Sequence, residues 1–153
     1  MHEINRTLAT ILENQKARAD AALEDLPDDL LTASPGGGCK SIAEIGTHLI
    51  MLRRFTLGLM ESPLAEQVPE WGEIEGVDKL RALLEKSTDL LAEAIAAHDP
   101  DDWYAVPQTP REGMWGADPT IVRVSRPFND YVNHLGSIRA IRRILGTPAE
   151  RTQ

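Results

Sequence analysis

Two histidines and an aspartate stand where helices usually carry hydrocarbon: His48, Asp130 and His134. Asp130 and His134 are four residues apart, so on a helix they project from one side. That side also carries Ile138, Ile141 and Leu145, which predicts that it faces a core. His48 lies between Ile45 and Leu52 on a second apolar stripe. Two imidazoles and one carboxylate are ordinary ligands for Zn²⁺ or Ni²⁺, and also suit Mn²⁺ or Fe²⁺. Three protein ligands leave a position open for water or substrate, which is the catalytic arrangement. A plainer reading stands beside this one: core histidines are commonly satisfied by hydrogen bonds, and Asp130 could bond His134 across the interior.

Four helical stretches must position these groups. From Ser125 to Gly146 the apolar residues Phe128, Tyr131, Val132, Leu135, Ile138, Ile141 and Leu145 recur at three and four. Ser125 is the expected N-cap, Pro127 suits a first turn, and Gly146 with Pro148 marks the stop. Thr120 to Val124 is open between a short strand and an early helical turn. Ser41-Ile42-Ala43-Glu44 has the capping-box pattern and opens a helix through Ile45, Leu49, Leu52, Phe55 and Leu59. Two more helices are expected from Glu3 to Leu23 and from Val77 to Ala97. Between them, Glu24 to Lys40 holds Gly36-Gly37-Gly38 and is expected to be mobile. Glu61 to Gly76 contains Pro63, Pro69 and Trp71. His98 to Val124 carries Pro100, Pro107, Pro110 and Pro119, and a loop so long is uncommon unless it covers something. The expected fold is all-α, an antiparallel four-helix bundle with long connecting loops, forming one domain over residues 1–153.

The spacing offers a way to bring the three groups together. His48 is seven residues past Ser41, while Asp130 and His134 are five and nine past Ser125. At about 1.5 Å per residue, all sit roughly 10 Å into their helices. Alternating up-and-down topology would make the second and fourth helices parallel and bring the three side chains to one level. Both positive dipole ends would then favour an anion nearby.

Composition narrows the function. The net charge is −8, with 24 acidic against 16 basic residues. Without a basic block, nucleic-acid binding is not expected, because neutralising phosphates supplies most of that affinity. No apolar run approaches the length of a membrane span, and the N-terminal MHEINRTLATILENQ lacks a signal-peptide core. Cys39 is the only cysteine, so no internal disulfide forms and a cytoplasmic setting is the simplest expectation.

Two segments resemble the DinB/YfiT-like superfamily of metalloenzymes. Ser41 through Thr47-His48-Leu49 is similar to the family's second-helix segment, which ends in the first ligand histidine. Asn129-Asp130 through His134-Leu135-Gly136-Ser137-Ile138, continuing to Arg142 and Gly146, resembles the fourth-helix segment, where the family often reads H-x-x-x-H-R-G-Q-I. The likeness follows the whole helix order. It implies a divalent metal held by His48, Asp130 and His134, and a small-molecule substrate with a low-molecular-weight thiol as partner. Characterised members of that family include thiol-dependent transferases and isomerases that use bacillithiol or mycothiol, and many other members have no assigned activity. Asp130 replaces the first histidine of the fourth-helix pair; the mycothiol-dependent isomerase branch has an acidic residue there. Aspartate is shorter than glutamate, and so could reach the metal through water. Ser137 stands where the family carries Gln or Glu, which removes a contact that would orient a ligand. The likeness also makes a homodimer plausible.

Other residues carry weaker signals. Cys39 precedes a helix N-terminus, where a thiol pKa can fall, but nothing else marks it as a nucleophile. Trp103, Tyr104, Arg111 and Trp115 could line a substrate mouth, anchor the long loop or form a dimer contact. Arg139, Arg142 and Arg143 read as dipole partners on a solvated face, and His2 and His98 as solvated helix ends. Two functions compete: a metal-dependent enzyme of thiol S-transfer, isomerisation or hydrolysis, and a non-catalytic homodimeric or ligand-binding bundle without metal.

Overall fold

The computed structural model describes residues 1–70, 72–106 and 118–147, which are all-helical with no strand among them. Helices α1 (Glu3–Leu23) and α4 (Val77–Ala97) run as their periodicity predicts. Helix α2 (Asp28–Leu31) is a single turn within the first connection. Its Asp28 carboxylate accepts the N–H of Val77 at 2.8 Å, capping α4 where Gly76 has no side chain to do so. Helix α3 (Ile42–Leu59) opens on a formed capping box. The Ser41 hydroxyl accepts the Glu44 N–H at 3.2 Å, and the Glu44 carboxylate accepts the Ser41 N–H at 2.6 Å.

Helix α5 (Thr120–Ile144) begins five residues before the expected cap. Ser125 lies inside it, with its hydroxyl donating to the Val122 carbonyl at 2.7 Å, and Pro127 is interior. No local side chain caps α5. Instead the Thr120 N–H donates to the Ala105 carbonyl at 3.0 Å, a partner across the connection that no local pattern announces. Thr120 to Val124 is therefore helical.

The helix directions correct the alternating order. Asn5 donates to the His98 carbonyl, Lys16 pairs with Glu85, and Arg81 donates to the Leu23 carbonyl, so α1 and α4 run antiparallel. Gln15 donates to the Phe128 carbonyl and Arg142 to the Ala22 carbonyl, so α1 and α5 run parallel. His48 meets His134 while Arg53 meets Tyr131, so α3 and α5, the second and fourth long helices, run antiparallel. It follows that α3 and α4 descend together, and the 60–76 connection returns the chain along their length. The four long helices share one apolar core that includes Leu12, Leu23, Leu49, Leu57, Leu80, Leu91 and Ile138. Among the described residues, no helix is long and apolar enough to cross a membrane.

Parallel α3 and α4 approach closely at Gly46. A Cβ there would stand 2.6 Å from Leu80 Cδ1 and 2.8 Å from Cδ2, and Leu80 is wholly buried. Gly46→Ala should therefore destabilise the fold: overpacking costs about 1–3 kcal/mol, against about 1 kcal/mol gained in helix propensity. Gly136 on α5 is exposed with nothing near its Cβ position, so Gly136→Ala should stabilise by roughly 0.5–1 kcal/mol. Chemical denaturation of the two variants tests these opposite signs.

Candidate metal centre

The capping box fixes where α3 starts, and so where His48 stands, two turns in. His134 stands on α5, whose buried face runs through Val124, Phe128, Tyr131, Leu135, Ile138 and Ile141. Both histidines are half-buried at the edge of the α3–α5 contact. Their ring centroids are 4.5 Å apart and the planes are inclined at 82°, an edge-to-face arrangement. The structure thus joins two of the three expected groups.

Asp130 is exposed, which corrects its expected place on an inward stripe. The reason is helical phase: the core seam of α5 passes through residues 128, 131 and 135, leaving 130 and 134 on its flank. Its charge nevertheless reaches His48. Burial, then His134, then Lys40 push the His48 imidazole below its ordinary range, and Asp130 opposes them. A depressed histidine stays neutral, the form that binds metal.

A shared ion would set the separation of the two rings. A metal–nitrogen bond of about 2.0–2.1 Å places an imidazole centre roughly 3.2 Å from the ion, so two such rings lie about 4.5 Å apart at a right-angle ligand arrangement and about 5.2 Å apart at a tetrahedral one. The observed 4.5 Å equals the right-angle value and is also an ordinary separation for an edge-to-face ring pair. Among the described residues, however, no group of three His, Cys, Asp or Glu side chains is placed to hold a metal ion. Two imidazoles converge while the carboxylate stands off. The antiparallel course of α3 and α5 also revises the dipole argument: only α3 has its N-terminus toward this end, and α5 presents its C-terminus.

Other singled-out residues have different duties. Trp103 is fully buried, donates to Asn5 Oδ1 at 2.7 Å and packs at a tilt of 54° against His98, 4.2 Å between centroids. It anchors the connection to α1 rather than lining a mouth. His98, expected to be solvated, is half-buried, and burial pushes its pKa down against Asp102 and Asp99. Arg142 is buried too, because its guanidinium caps α1 by donating to the Ala22 and Glu24 carbonyls at 2.9 and 2.7 Å. Arg139 is half-buried and Arg143 exposed. Cys39 and Tyr104 are exposed. Trp71, Pro107, Pro110, Arg111, Trp115 and Pro148 lie outside the described residues.

Sequence reasoning passed over Gln15 and Arg53, which meet in the core with a 2.8 Å hydrogen bond. The signal was available: position 53 falls in register with the buried Leu49 and Thr56, where a charge is out of place.

A family model described as the DinB superfamily matches residues 11–125, well over half of the chain. The match contains His48 and ends within α5, before Asp130 and His134. No curated protein matches the chain.

The depressed pKa values of His48 and His98 predict an acid-sensitive fold. Each group binds protons more readily unfolded than folded, so stability is full above about pH 6.5 and falls as pH drops toward the folded pKa values. Thermal unfolding of metal-free protein from pH 7.5 to 5 should show this decline. His48→Gln and His98→Gln should each flatten part of it; a slope unchanged in both variants would contradict the assignment.

Proposed function

The chain belongs to the DinB superfamily, and on that premise we propose that it is a divalent-metal-dependent enzyme acting on a small molecule. The observation that carries the reading is the meeting of His48 and His134 at 4.5 Å, from helices far apart in sequence. His48 and His134 hold the ion, and Asp130, one turn along α5 from His134, completes the set through an intervening water or orients that water. A bound Zn²⁺ or Ni²⁺ would supply Lewis acidity, making a thiol or water nucleophilic near neutral pH.

The surrounding residues suit that chemistry. Lys40 acts electrostatically on His48 from the loop before α3, so an anion approaching the pair meets positive charge and a helix N-terminus. Asp130 is exposed and can accept a proton from a bound nucleophile and pass it to solvent. The reaction class that fits is thiol S-transfer, isomerisation or hydrolysis. A low-molecular-weight thiol as co-substrate, a cytoplasmic setting and a homodimeric state belong to the same proposal.

A second reading is favoured by one observation, the absence of a three-residue ligand group among the described residues. In it the helices form a non-catalytic module and the histidines are a packed pair. Elemental analysis of protein purified without a histidine tag separates the two. The enzyme reading expects near-stoichiometric metal, lost in His48→Ala and in His134→Ala. Asp130→Ala should weaken binding by about 10–100-fold, as removal of an outer ligand partner does. Protein without metal, and with an unfolding temperature indifferent to added Zn²⁺ or Ni²⁺, would leave only the module.

A further inference from the structure

Arg53 is a charged side chain in the apolar interior, only 1% exposed. Its guanidinium lies 3.6 Å from the centre of the Tyr131 ring. Its Nη1 donates to Gln15 Oε1 at 2.8 Å, and Gln15 Nε2 donates to the Phe128 carbonyl at 2.9 Å. One cluster therefore ties α1, α3 and α5 together. Among the described residues, Arg53 Nε and Nη2 and the Tyr131 hydroxyl make no hydrogen bond of good geometry, although Tyr131 favours the charged guanidinium against the cost of its burial. A cation so incompletely satisfied is a poor source of stability, and an apolar residue of similar volume would serve the core as well or better.

The cluster's position suggests what it does instead. Pro127 lies within α5 and supplies no N–H to the helical ladder, which weakens the helix at that turn. The contacts at Phe128 and Tyr131 follow immediately, and His134 stands one turn beyond them. On α3, Arg53 lies five residues past His48. A helix turns by about 100° per residue, so a single-residue slip of α3 against α5 would swing one imidazole away from the other.

We propose that Arg53 is a positioning residue: held between Gln15 and the Tyr131 ring, it fixes the register of α3 against α5 so that His48 meets His134. Through that register it sets the affinity of the pair for a divalent metal. The second statement rests on the metal-enzyme reading; the first does not.

The test uses the metal-free full chain as wild type, Arg53→Met, Arg53→Lys and Tyr131→Phe. Ring contact is followed by NMR cross-relaxation between the His48 and His134 ring protons. Metal affinity is followed by the visible absorption of added Co²⁺, and stability by thermal unfolding. Arg53→Met should unfold at the wild-type temperature or above, lose the ring-to-ring cross-peak and bind Co²⁺ about tenfold more weakly. Arg53→Lys keeps the charge and the fold but not the planar stack, and should show the same two losses. Tyr131→Phe keeps the ring and should keep the wild-type cross-peak and Co²⁺ affinity, whatever its unfolding temperature. Cross-peak and affinity unchanged in both Arg53 variants would overturn the proposal, as would losses that merely follow a lowered unfolding temperature. If wild type shows the cross-peak but binds no Co²⁺, the metal reading falls, and the cross-peak in the variants alone decides the positioning role.

Discussion

A guanidinium stacked on a tyrosine at the centre of an apolar core is the constraint around which this fold is arranged. Hydrophobic burial is non-directional, and apolar stripes alone allow helices to slide and rotate against each other. The Arg53–Tyr131 stack and the Gln15 bridge to the Phe128 carbonyl have direction, and they join three of the four long helices at one level. Burying a cation costs several kcal/mol of hydration, which a neutral amide and an aromatic face only partly offset. Such a group is easier to understand as a specifier of arrangement than as a source of stability.

The helix ends follow the same logic of partners supplied from elsewhere. The α4 N-terminus is capped by Asp28 from α2, and the α1 C-terminus by guanidinium donors from Arg81 of α4 and Arg142 of α5. Asn5 joins Trp103 to the last carbonyl before Asp99-Pro100. Each contact satisfies an orphan backbone group or a buried polar side chain that would otherwise cost about 1–3 kcal/mol. By contrast, the exposed Lys16 pairs with Glu85 and Asp89 contribute little, because solvent screens them and long side chains must be ordered. Structural specificity here comes from buried donors reaching carbonyls on other helices, not from surface charge.

The candidate centre inherits its form from this packing. His48 and His134 lie half-buried at the edge of the α3–α5 seam, where burial disfavours the charged imidazole at His48. Asp130 sits one turn away on the solvent side. That geometry gives a two-histidine pair with a carboxylate in its electrostatic field.

Much of this was legible in the sequence, because it depends on neighbours within a turn or two. The bounds of α1 and α4, the capping box at Ser41 and the all-helical class come from periodicity and local hydrogen bonding, which a short window contains. The choice of His48, Asp130 and His134 as candidates came from their placement on or beside apolar stripes. Tertiary structure decided the rest. The α5 start depends on the Ala105 carbonyl and not on a local cap. The antiparallel course of α3 and α5 depends on the return path of the 60–76 connection, which periodicity cannot see. Asp130 is exposed, and Arg53 and Arg142 are buried, because the phase of a seam is set by the helix it meets. Local sequence determines which faces are apolar; only packing determines which neighbour each face receives, and so which polar groups meet.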